Sequence, residues 1–274
     1  MKFKALFALF NVIVVVSFLI VAVMPVFIIG GEYAALFWRD NWPLAGLFLL
    51  VLILLNGYFV ANWPLFSRLE SQDWDGLIRF LEARIYGKGR ISSQSVRVLI
   101  NTYVVKAKPE QITELERHLR EKKPGLVPRF ALEFGISHLL SGDAERMIDF
   151  FSGIKGQLSG RRKEWAEWNY AFGLTLNRQA ELSRDTLLRL ARTARSPIVR
   201  ALSLYLLSNF AQLDTEVSST VREGTDRLRA EFDPKKWRRL LDRHRSDLQV
   251  LAISRILDEC TEWLFGAQED SGHK

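Results

Sequence analysis

Residues 5–29 read ALFALFNVIVVVSFLIVAVMPVFII and residues 44–60 read LAGLFLLVLILLNGYFV, and neither run holds an Asp, Glu, Lys, Arg or His. A helix needs roughly 20 apolar residues at about 1.5 Å each to cross a hydrocarbon layer about 30 Å thick. The first run has that length with room for tilt. The second reaches it with its flanks, which carry Trp38, Trp42, Trp63 and Phe66, rings that favour the headgroup level. A secretory leader has a shorter apolar region, about 7–15 residues, and ends in a small-residue cleavage site. Here the run ends instead in Pro25, Phe27 and a glycine pair, Gly30 and Gly31. The sequence therefore predicts two spanning helices, at about 5–29 and 43–63. Asn56 and Gly57 interrupt the second, where a packing contact with the first helix is expected.

Cations orient the hairpin. Lys2 and Lys4 precede the first run, and the loop expected at 30–41 has only Arg39 against Glu32 and Asp40. Arg68, Arg79, Arg84, Lys88 and Arg90 follow the second run. The positive-inside bias then places both termini in the cytoplasm of a bacterial-type inner membrane, with a short loop outside. Of the chain's 38 Lys and Arg and 31 Asp and Glu, 35 and 29 lie beyond residue 64, a net +6 there. That stretch of roughly 210 residues is long enough to bury a core of its own. Cys260 is the single cysteine, which excludes an internal disulfide and a cysteine metal cluster.

Beyond Leu65 the apolar residues recur at helical spacing, with breakers at short intervals. The pattern predicts helices at 73–86, 92–106, 109–121, 126–140, 143–157, 162–179, 183–195, 197–211, 215–231, 234–246 and 248–265. Short helices joined by short connectors make an all-α chain of stacked hairpins, not an α/β enzyme.

One hairpin carries Phe134, Gly135 and His138, then Gly142 and Asp143, then Ile148, Phe151 and Ile154. Gly135 lets two helices approach closely, and Asp143 is placed to cap the second of them. The turn recurs at Asp73 and Trp74, followed by Leu77, Ile78, Leu81 and Ile85, and Pro109 falls midway between the two copies. Asp73 and Asp143 are 70 residues apart, two periods of about 35. This arrangement resembles the tetratricopeptide repeat, with Met147 where that family has alanine and His138 where it has tyrosine. The resemblance covers about residues 66–160. The layout as a whole, two spans and then helical repeats, is similar to the HemY-type bacterial membrane proteins. It implies a hairpin at 1–64, a tetratricopeptide-like α-solenoid at 65–267 and a polar tail at 268–274.

No phosphate-cradling glycine loop, paired-histidine zinc helix or nucleophile elbow is present. Glu114 and His118 share a helical face but read as a solvated pair. His138 reads as a semi-buried histidine and Cys260 as a small core residue. No catalytic residue, metal ligand or cofactor is therefore assigned, and the chain is read as non-enzymatic.

The expected function is that of a membrane-anchored scaffold mediating protein–protein interactions. Its groove is lined from the first helix of each pair, where Arg97, Asn101, His138, Trp168 and Asn169 are the candidates. Cations cluster at 184–200, with Arg189, Arg192 and Arg195, again at Lys235, Lys236, Arg238 and Arg239, and a third time at Arg161, Arg162 and Lys163. These form a candidate patch for anionic lipid headgroups or an acidic partner, with Trp237 among them as an interfacial ring. Nucleic acid ranks low, because no recognition helix or aromatic-bearing strand accompanies the cations. The alternatives are a structural subunit of a secretion, flagellar or cell-division assembly, and a non-catalytic component of a membrane enzyme or transporter.

Overall fold

The computed structural model describes residues 3–212, 214–245 and 247–269. Lys2, one of the two N-terminal orienting cations, and 270–274 of the expected polar tail lie outside the described residues. Every regular element among the described residues is helical. The chain divides into two compact units, Met1–Arg90 and Ile91–Lys274.

The first unit opens with α1 (Phe3–Ile29) and α2 (Gly31–Glu70), which pack against each other. Within them, Phe7–Ile28 and Asn41–Glu70 are long and apolar enough to cross a membrane. The predicted loop at 30–41 is absent. Gly30 alone joins the helices at φ 85°, a left-handed conformation that glycine adopts without a Cβ penalty. Phe18 stacks on Phe48 at 4.5 Å between centroids, and Phe7 meets Phe59 at 4.9 Å. Asn56 serves its own helix, donating from Nδ2 to the Leu52 carbonyl at 2.9 Å, and Asn11 does the same for Phe7. Around these contacts the apolar surface stays open: Phe27 is 84% exposed and Val60 68%.

α2 runs unbroken through Pro43 and Pro64 to Glu70. Ser71 and Gln72 then turn the chain into α3 (Trp74–Glu82), capped by the Asp73 carboxylate accepting from the Gly76 N–H at 2.9 Å. A π-helical turn, Ala83–Gly87, closes the unit. The first compact unit thus runs to Arg90, because helix continues past the apolar run.

The second unit begins with α4 (Ser93–Val105), α5 (Pro109–Lys122), α6 (Ala131–Ser141) and α7 (Ala144–Ile154). It continues with α8 (Gly160–Leu176), α9 (Ala180–Thr193), α10 (Pro197–Ser208) and α11 (Thr215–Glu231). Each of these helices packs on the next, and α8 also touches α6 and α10 while α9 touches α11. Proline occupies the first helical position of α5 and α10, where its missing N–H costs nothing. Asp143 caps α7 and Asp214 caps α11. The α6–α7 turn forms as its residues predict. Gly142 takes φ 69°, and a Cβ on Gly135 would lie 2.1 Å from the Phe151 ring, so only glycine allows this approach.

α12 (Pro234–His244), α13 (Leu248–Ala252) and α14 (Ser254–Glu269) complete the chain. α13 returns to pack on α6, and α14 packs on α10 and α11. The predicted single helix at 248–265 is two helices, broken at Ile253. The predicted helix at 126–140 starts late, because Pro124 and Pro128 set two 3-10 turns before α6. Cys260 is buried on α14, and burial pushes its thiol pKa up to about 12, as expected of an inert core cysteine.

Candidate functional site

A cavity of about 560 Å³ lies within the second unit. α4 contributes Arg97 and Asn101, α6 contributes Leu132, Glu133 and Ile136, and α8 contributes Arg161, Arg162 and Trp165. Ser196 and Ile198 come from the start of α10, His244 from the end of α12, and Asp247, Leu248, Gln249 and Val250 from the α13 segment. First helices of successive hairpins therefore share one wall, and the returning C-terminal segment forms the other.

Local chemistry explains how the wall is held. Glu164 on α8 accepts from the backbone N–H groups of Arg195 and Ser196, each at 3.0 Å, and so fixes the entry of α10 beside α8. Asn169 donates to the Trp165 carbonyl at 2.8 Å, and its Oδ1 accepts from Gln249 Nε2 at 3.0 Å. That buried amide pair ties α13 to α8 across 80 residues of sequence. Gln249 Oε1 is buried and has no hydrogen-bond partner among the described residues.

Charge is the cavity's chemical character. Arg97, Arg161 and Arg162 make no ion pair among the described residues, although Arg97 lies over the Phe130 ring at 5.9 Å. Two of them stand in the first turn of α8, where the helix dipole disfavours cations, and no acidic residue offsets them there. A sequence that breaks a local rule at this point leaves exposed guanidinium groups facing the cavity. The acids are Glu133 and Asp247, and Asp247 lies 2.9 Å from His244 Nδ1. Burial raises the Glu133 pKa above its ordinary 4.5, while its own backbone N–H, Arg97 and Arg162 pull it down and Asp247 pushes it up. Such a lining suits a negatively charged group with some apolar surface, because Ile136, Trp165 and Ile198 line the same space.

A family model described as an uncharacterised Treponema protein matches residues 111–266, more than half of the chain. The chain belongs to this Treponema family. A protein of Treponema pallidum (strain Nichols) is 25% identical over 231 residues, covering 80% of this chain and 74% of its own length. No solved structure matches. The family's matched span runs from α5 into α14 and takes in every lining segment of the cavity except α4.

The groove residues expected from helix position separate on inspection. Arg97 and Asn101 line the cavity, and Asn169 lies behind it, holding Gln249 in place. Trp168 is a correction: it is fully buried, stacked on Phe172 at 5.2 Å, because it faces the inter-helix core and not the open wall. His138 is also buried, 5.4 Å from the Phe150 ring, and opens on a separate pocket of about 330 Å³ with Glu114 and Arg117. Burial lowers its pKa, against the pull of Glu116 and Asp143.

The expected cationic patch divides in the same way. Arg189 pairs with Glu167 at 3.0 Å, and Arg192 pairs with Glu216 at 2.8 Å while also reaching Thr220. These two cations join α9 to its neighbours α8 and α11. Arg195, Lys235, Arg238 and Arg239 are exposed, and Lys236 is 3.8 Å from its own cap, Asp233. Trp237 is the second correction. It is wholly buried between Phe232 and Phe265, with its indole N–H donating to Thr261 at 3.0 Å, so it anchors α12 and does not meet an interface. Among the described residues no cluster of three or more His, Cys, Asp or Glu is arranged to hold a metal.

The sequence reading marks Arg161 and Arg162 as clustered cations without placing them beside the groove residues, and it does not single out Glu133. The clustered cations Arg161, Arg162 and Lys163 at a helix start were the available signal. The contribution of His244 and of 247–250 came from tertiary packing alone.

Proposed function

We propose that this chain is a membrane-anchored helical-repeat scaffold whose cavity grips an acidic segment of a partner protein. The three arginines without ion pairs on one wall carry this reading, since a carboxylate seated among them forms charge-assisted, bidentate hydrogen bonds. Second helices support a tetratricopeptide-like solenoid: α3, α5, α7, α9 and α11 start at 74, 109, 144, 180 and 215, spacings of 35, 35, 36 and 35 residues. The family period is about 34. In such a stack each hairpin buries its apolar face on the next, and the first helices together face one groove.

The apolar pair α1 and α2 would hold the scaffold at a bacterial inner membrane with both termini in the cytoplasm, as the flanking cations favour. Tethering confines the partner to two dimensions and raises its effective concentration. The two-span layout with helical repeats behind it, the HemY-type arrangement, fits the same role.

A photo-crosslinking amino acid at Asn101 or Arg161 tests this in cells. Both line the cavity, whereas Arg227 sits on α11, which contributes nothing to it. A discrete adduct is expected from the first two positions and lost when Arg97 and Arg162 are changed to Glu. Equal adducts from Arg227, or adducts indifferent to the charge reversal, refute the docking role.

A further inference from the structure

We infer a second binding site, for the phosphate of an anionic phospholipid headgroup, in the pocket that Arg84, Lys88 and Arg90 form with Ala61, Pro64 and Phe80. It lies within the first unit, has a volume of about 270 Å³, and is lined by these three cations and no acid. None of the three makes an ion pair among the described residues, and Arg84 Nε is shut from solvent without a hydrogen-bond acceptor. A guanidinium nitrogen in that condition lacks the partner that buried donors ordinarily have.

The backbone places the cations deliberately. After α3 the chain widens into the π turn, with the Lys88 N–H donating to Ala83 O at 3.1 Å and the Arg90 N–H to Arg84 O at 3.0 Å. Gly89 permits the following bend at φ 59°. π turns are costly deviations that recur at functional sites, and this one brings residues 84, 88 and 90 to a single pocket. The other wall, Ala61 and Pro64, belongs to the apolar stretch Asn41–Glu70.

Location selects the occupant. A phosphate at this place is that of a lipid whose acyl chains lie along the apolar helix, and basic pockets beside spanning helices take such headgroups. The site rests on the reading of α1 and α2 as spans. It differs from the patch expected at 184–239, whose residues lie far along the chain in the other unit.

The test uses the full chain reconstituted in vesicles of phosphatidylcholine with and without phosphatidylglycerol, then extracted in mild detergent for mass measurement of retained lipid. Wild type is expected to retain phosphatidylglycerol selectively, with selectivity falling as salt rises. Arg84→Gln, Lys88→Gln and Arg90→Gln together are expected to weaken retention about a hundredfold, roughly fivefold per cation. Lys88→Gln and Arg90→Gln alter exposed side chains, so each alone gives a partial loss even if the triple variant folds poorly. Retention of both lipids alike, or unchanged selectivity in the variants, overturns the site. Carbonate extraction separates the two failures: a chain released from the vesicles refutes the spans, and an inserted chain without selectivity refutes the pocket.

Discussion

The apolar pair α1 and α2 and the helical stack from α4 onward obey the same energetic rule with opposite results. In the first, side chains such as Phe27, Ile53 and Val60 face outward, and polar groups such as Asn11 and Asn56 turn back to carbonyls of their own helix. In the second, Trp168, Trp237, Phe134 and Phe151 are sealed inside, and the cations lie outside or pair across helices. A surface with no water to meet keeps its hydrogen bonds within the helix, whereas a surface in water buries its apolar area. The first region thus leaves its apolar surface open, and the second closes over its own.

The contrast can be broken most severely at tryptophan. Trp237→Ala should destabilise the second unit by about 3–5 kcal/mol, through lost burial and a residual cavity. Trp42→Ala, at a residue 69% exposed on α2, should leave helix content and thermal stability close to wild type. Paired thermal melts of the two variants check this, and equal losses would mean that the two regions are not differently packed.

Glycine gives a sharper and smaller comparison. Gly135→Ala drives a methyl group into the Phe151 ring, while Gly57→Ala meets nothing within 4 Å. Overpacking of this kind costs about 1–3 kcal/mol, so the first variant should unfold at clearly lower denaturant and the second should not. An unaffected Gly135→Ala protein would contradict the close approach of α6 and α7.

The smallest effect is expected at Glu133 and depends on pH. Its pKa is raised in the folded state by burial, so its contribution to stability is present below the unfolded value near 4.5 and lost as pH rises through the folded value. Glu133→Gln removes that loss. The variant should gain stability relative to wild type as pH climbs out of the acid range, with the difference level once the acid is ionised. Denaturant titrations across that window measure it, and a constant difference at every pH would place Glu133 in solvent.

Much of this was legible in one dimension. Pro109 and Pro197 announced α5 and α10, and the α11 bounds at 215–231 follow the sequence reading, because an Asp cap and helical periodicity are local signals. The Phe134 to Asp143 hairpin was equally plain. Ile253 broke a helix without glycine or proline to mark the place, and Gly30 turned the chain alone where a longer loop was expected. Trp237 stands among Lys235, Lys236, Arg238 and Arg239, so neighbours in sequence gave it a surface character that neighbours in space reversed.

Composition and spacing by themselves determined an all-α chain and two helices long and apolar enough to cross a bilayer. These follow from hydrophobic length and helical period, which act over a few turns of chain. Tertiary structure alone decided that α13 returns to α6, that Gln249 bonds Asn169, and that Arg97 shares a cavity with Arg161 and Arg162. Those contacts join residues as far as 80 apart, and which distant partner satisfies a buried amide or leaves a guanidinium open is settled only when the whole core packs.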